Sequence, residues 1–216
     1  MDFPNCLSAA DGKHIRIICP PSSGSQYFNY KTYFSIVLLG VADANYCFTA
    51  IDIGAYGHEG DWNILKNSNF GRRLLQQQLD LPSARPLPLT AEPSLPFVFV
   101  ETNEEHRIFN CRLSRARRLV ERTFGILSNK WRILHSSILV LPETAIDTVK
   151  SCCVLHNFVR RRDGYVYENS LTCDMDDVEQ VAAVGGRSTG TAVRDSFSAY
   201  LYGSTGALPW LNKRVQ

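Results

Sequence analysis

A single carboxylate, Glu121, stands among eight Lys and Arg side chains in the stretch from Arg107 to Leu134. At about 100° per residue, Leu113, Ala116, Leu119, Val120, Phe124 and Leu127 gather on one arc of a helix, with Arg115, Arg118 and Arg122 opposite. Glu121 falls on the border of the apolar arc, close to Arg117. Two roles fit an acid in that place. One is an ion pair with Arg117 or Arg118 at helical spacing, worth about 0.3–0.5 kcal/mol when exposed. The other is a ligand carboxylate presented from a helix edge into a cleft beside the core. Phosphodiester cleavage by two hard divalent cations needs several carboxylates brought together from distant parts of a chain. Asp11, in strand-like sequence, is one candidate partner. Asp61, at the head of a helix-like segment, is another, with capping of that helix as its competing role.

The elements that would position these acids follow from patterning. Asn5 to Cys19 predicts a first strand containing Asp11-Gly12, ended by the loop that begins at Pro20-Pro21. Tyr33 to Val41 predicts a nearly all-apolar strand buried on both faces. Tyr46 to Ile53 returns as a third strand, completing an antiparallel meander. A glycine-rich loop, Gly54 to Gly60, leads to a helix over Asp61 to Gln78 anchored by Trp62, Ile64, Leu65, Leu74 and Leu75. After a proline-rich connector, Leu95 to Val100 predicts a short strand at the sheet centre, and the basic helix follows. A further helix spans Ala145 to Arg161 on Ile146, Val149, Cys153, Leu155 and Phe158, and a closing one spans Ala192 to Tyr202. The fold class expected is α/β, a ribonuclease H-like mixed sheet of three antiparallel strands plus a central parallel strand, flanked by helices.

Composition narrows the rest. The net charge of +2 places any basic surface in clusters, and Arg107 to Arg132 is the cluster. Seven cysteines without a C-x-x-C pair fit neither a disulfide framework nor a zinc ribbon, so reduced thiols and packing are expected, including for the CCVLHNF segment. The longest apolar run, Ile36 to Ala42, falls far short of the roughly 20 residues of a membrane span. A soluble intracellular protein is expected, nuclear and/or cytoplasmic, with no membrane partner.

Several segments are long and unusual enough to carry a family resemblance. Ala10-Asp11-Gly12-Lys13-His14-Ile15, Gly24 to Lys31 (GSQYFNYK), Arg112 to Arg118 with Val120-Glu121, Phe124-Gly125-Ile126-Leu127 and Cys152 to Phe158 occur in this order. Together, from about Phe3 to Trp210, they resemble the PIF/Harbinger transposases and the nucleases derived from them. The resemblance implies a metal-dependent endonuclease of the Asp-Asp-Glu class acting on DNA. It makes Asp11 the first and Glu121 the third catalytic metal ligand, with Mg²⁺ or Mn²⁺ as cofactor. Asp61 and Glu101 are further candidate ligands, and Lys13, Arg112, Arg115, Arg117, Arg118 and Arg122 are candidate DNA-backbone contacts. Patterned sequence begins almost at the start, with no room expected for a DNA-reading module, and a separate partner protein is a candidate source of one.

The chain departs from the family at one place. The family's middle Asp lies shortly after the strand that Leu95 to Val100 resembles, yet Val100 passes straight into Glu101-Thr102-Asn103-Glu104-Glu105-His106, and no Asp occurs between Asp80 and Asp147. The middle Asp and its loop are expected to be missing together, leaving a weakened metal site and impaired hydrolysis. Glu101 is a candidate replacement, although an acidic first turn favouring the N-terminus of the next helix is the preferred role for Glu101, Glu104 and Glu105. The alternative is a non-catalytic nucleic-acid- or protein-binding module that keeps the fold. A truncated or mis-spliced product is a third reading. The expected domain covers residues 1–162, shortened near 100/101, followed by an acidic and glycine-containing linker over 163–190. Residues 191–216 then form a helix and tail of the same domain.

Overall fold

The computed structural model describes residues 3–100, 107–164 and 188–202. Glu101, Glu104 and Glu105 and most of the expected linker therefore lie outside the described residues, as does the tail beyond Tyr202.

β1 (Cys6–Arg16), β2 (Ser35–Ala42) and β3 (Phe48–Tyr56) form the expected antiparallel meander, and β6 (Val98–Val100) pairs parallel to β1. The sheet order is β3-β2-β1-β6. The α/β class and the mixed sheet thus hold. β6 lies at the sheet margin among the described residues, because only its β1 side is paired. β2, with the sequence SIVLLGVA, is buried along its whole length, as a continuous apolar run in a sheet covered on both faces should be.

Helices cover both faces. Ile15, Ile36, Leu38 and Ala42 on one face pack with Phe124 and Leu127 of α3 (Arg107–Lys130) and with Val149 and Cys153 of α4 (Pro142–Arg162). On the other face Val37 and Leu39 pack with Ile64 and Leu65 of α1 (Asp61–Asn67). α5 (Ser188–Tyr202) brings Phe197 and Leu201 onto Phe3, Leu87 and Leu95, beside a two-stranded ladder of β4 (Arg85–Pro86) and β5 (Ser94–Leu95) inside the proline-rich connector.

Three expectations change in detail. The helix predicted over Asp61 to Gln78 is two helices, α1 and α2 (Asn69–Leu75), broken at Ser68. Ser68 Oγ accepts from the Gly71 N–H at 2.9 Å, the N-cap bond that starts a new helix. Trp62 and Leu75, expected as anchors, are 57% and 54% exposed, and Ile64 and Leu65 alone of the expected anchors are buried. In α4 the inward positions go to Ala145, Val149, Cys152, Cys153, His156 and Arg160, while Leu155 and Phe158 face outward. α3 itself ends at Lys130, and a short 3-10 turn, Arg132–His135, continues the basic stretch.

Candidate functional site

Strand parity decides which side chains can meet. Asp11 is paired with Gly40, and Gly12 with Leu39. Successive strand residues point to opposite faces, and directly opposed residues share one. A Cβ added at Gly40 would come within 2.8 Å of Phe48 and 2.9 Å of Phe124, so Gly40, and with it Asp11, faces α3. Leu39 packs with Ile64 and Leu65, so Gly12 faces α1.

α3 is seated by its apolar arc. Leu119, Val120, Phe124 and Leu127 are buried as the helical wheel predicts, and Phe124 lies against Phe48 with ring centroids 5.9 Å apart. Phe124 beneath Gly40 fixes the helix along the strand, which places the preceding turns next to Asp11, the register partner of Gly40. The consequence is a three-residue constellation. Arg117 Nη2 lies 3.5 Å from Asp11 Oδ1, and Arg117 Nε lies 3.1 Å from Glu121 Oε1. The side chains are 6% exposed for Asp11, 17% for Arg117 and 34% for Glu121, so the group opens to solvent from the Glu121 side. The Nε contact is close in distance but not aligned as a hydrogen bond. It is a charge contact rather than a directed one. Both roles weighed for Glu121 are thus compatible with its position: it pairs with Arg117 at i,i+4, and it stands beside the strand acid.

Asp61 does not join this group. A Cβ built on Gly12 would collide with Asp61 Oδ1 and lie 3.1 Å from its Cγ, which puts the Asp61 carboxylate on the α1 face, across the sheet from Asp11. Nor does Asp61 cap its helix. Gly60 is the N-cap residue and Asp61 the first residue within α1, where its negative charge suits the helix N-terminus.

The arginines divide likewise. Arg118 and Arg122 are exposed on the outer side of α3. Arg117 is turned inward to the acids. Arg112 and Arg115 lie in α3 by their backbone, with side chains outside the described residues. Lys13 is 2% exposed on β1. It shares the face of Asp11 and does not project from the surface as a DNA contact would.

The residues present are a poor match for a two-cation centre. Asp11, Glu121 and Arg117 carry a formal charge of −1 together, far from balancing two dications. Among the described residues, no set of three or more His, Cys, Asp or Glu side chains is grouped to hold a metal ion. The CCVLHNF segment serves packing and hydrogen bonding. His156 Nε2 lies 2.7 Å from the Tyr46 carbonyl, and because a carbonyl can only accept, the ring nitrogen donates. Burial lowers the pKa of His156 from 6.5 and the charge of Arg160 adds to this, against the opposing bond to Tyr46. Burial pushes the Cys153 thiol up to about 12, which keeps it protonated and inert. Asn157 bonds the backbone of Phe48 at both its N–H and its carbonyl, each at 2.8 Å, and Arg160 donates to the Asn45 carbonyl. Sequence reasoning missed this role of Asn157 and Arg160 on the β2–β3 turn; polar residues at the inward spacing of α4 were the signal.

The sequence pattern of the DDE superfamily endonuclease family matches residues 10–157 of this chain, a span that contains both Asp11 and Glu121. Protein ALP1-like of Arabidopsis thaliana is similar to it, 27% identical over 176 residues that cover 73% of this chain and 43% of that protein. The chain thus spans less than half the length of this curated relative. No solved structure matches. With more than half of its length matched, the chain belongs to the DDE superfamily endonuclease family.

Proposed function

We propose that this chain is a transposase-derived nuclease domain with a ribonuclease H-like fold that binds DNA through the phosphate backbone and cleaves it weakly or not at all. Descent is supported by the family match and by the meeting of Asp11 with Glu121 across about 110 residues of sequence. The observation that carries the impaired-cleavage reading is Arg117, a guanidinium standing between the two acids where a nuclease of this class would need further negative charge. We read the family's middle Asp and its loop as missing between Val100 and Glu101, directly after β6. Arg118 and Arg122 are the exposed cations that would track phosphates.

Supercoiled plasmid incubated with Mg²⁺ or Mn²⁺ tests the reading. Nicking should be weak, and Asp11→Asn or Glu121→Gln should change it little. Robust nicking abolished by either substitution would overturn the impaired reading and direct attention to Glu101 as a replacement ligand. For binding, each phosphate contact on duplex DNA contributes a log–log salt slope of about −0.9. A slope near zero would remove DNA as the partner and favour a protein-binding module.

A further inference from the structure

Arg117 occupies the position that a bridging cation would need. Its guanidinium touches the strand acid through Nη2 and the helix acid through Nε, from within the apolar border of α3. We propose that Arg117 is the resident counter-ion of the Asp11–Glu121 pair and that it bars divalent cations from these carboxylates. The inference rests on the reading of Asp11 and Glu121 as the family's acidic pair, and concerns what fills the space between them.

Three properties make the arginine suited to the role. Asp11 is almost fully buried, and a buried carboxylate needs a compensating charge at close range. A guanidinium stays protonated at any pH the protein experiences, so the compensation is permanent, unlike a metal that can be lost to a chelator. Its fork presents several donors along one edge, which lets one side chain address two carboxylates that come from different elements. Strand and helix are thereby joined electrostatically without an ion from solution. A dication binding these carboxylates would compete with the positive charge already beside Asp11 Oδ1 and Glu121 Oε1. The contact with Glu121 is unaligned and its carboxylate is one-third exposed, so the outward route for Arg117 runs past Glu121.

The test is a Mn²⁺ titration of the full chain by calorimetry, with thermal stability as a second readout, on the wild type, Arg117→Gln, Arg117→Lys and Arg117→Gln/Glu121→Gln. Breaking a charge-assisted contact should shift affinity by about ten- to a hundredfold. Arg117→Gln is therefore expected to bind Mn²⁺ by about that factor more tightly than the wild type, and to gain thermal stability from it. Adding Glu121→Gln should cancel the gain. Arg117→Lys, whose compact ammonium reaches one carboxylate at a time, should show a smaller gain. Equal Mn²⁺ affinity in the wild type and Arg117→Gln overturns the proposal, as does a gain that survives Glu121→Gln. Should the Gln variant fail to fold, an Arg117→Lys protein with no gain overturns it as well. Plasmid nicking is read separately: strong nicking by the wild type defeats the impaired-nuclease reading, whereas flat Mn²⁺ affinities across folded variants defeat the counter-ion proposal alone.

Discussion

The two faces of the sheet treat an aspartate differently. On the α3 face, Asp11 lies buried with Arg117 and Glu121 at the border between the apolar arc of a helix and its charged side. On the α1 face, Asp61 sits against the bare Cα of Gly12, one residue along the same strand, at the head of a seven-residue helix. The acids are neighbours through the sheet, yet they belong to different layers. A carboxylate becomes part of the candidate site here through the element that faces it, and α3 brings a second acid and a cation to Asp11. Closeness in space to a strand is therefore a weak criterion, while parity along the strand is a strong one.

The comparison breaks most severely if α3 comes off its seat. Phe124→Ala removes the ring that fills the space beneath Gly40, and a loss of about 3–5 kcal/mol in urea unfolding is expected. A loss below about 1 kcal/mol would mean that Phe124 does not position α3. The α1 face can be tested next with Gly12→Ala, whose added methyl meets the Asp61 carboxylate. Overpacking of this kind costs about 1–3 kcal/mol, and Asp61→Ala in the same chain should restore most of it. A double-mutant cycle on denaturation midpoints measures the rescue, and additive effects would show that Asp61 and Gly12 do not share the α1 face.

Smaller effects sharpen the picture. The folded His156 resists protonation, because its pKa lies below the ordinary 6.5. The unfolded chain then binds the proton more readily, so this contribution to stability is present above pH 6.5 and is lost as pH falls through 6.5 toward the folded value. His156→Gln should flatten that part of the pH–stability curve, and an unchanged curve would assign the dependence to another group. Smallest is the outer surface. Arg122→Ala should reduce the salt slope of DNA binding by about 0.9 without altering the melting temperature. A shift in melting temperature instead would make Arg122 a structural residue.

Much of the α3 face was legible in the sequence. The helical wheel identified the buried arc, placed Glu121 on its border and named Arg117 as a neighbour, since these are local consequences of helical periodicity. The meander followed from apolar runs divided by turn residues. What stayed hidden depended on register. That Arg117 would reach Asp11 as well as Glu121 requires knowing where α3 lies along β1, which Phe124 and Gly40 decide across more than 80 residues. The placement of Asp61 was hidden for a related reason, although a signal existed: a glycine inside a strand, as at Gly12, often marks a close approach from the facing layer. In α4, the apolar Leu155 and Phe158 pointed to the wrong side of the helix. The carbonyls of the β2–β3 turn need donors, and His156 and Arg160 take the inward places to supply them.

Asn157 meets the outer rim of β3 as though it were the next strand. Its amide donates to and accepts from Phe48, the same exchange that two opposed residues make in an antiparallel ladder. One side chain thus imitates a strand at the start of β3, and a chain in search of an edge to extend finds that rung already taken. The helix that completes the core on this face also guards the margin of the sheet against unwanted growth.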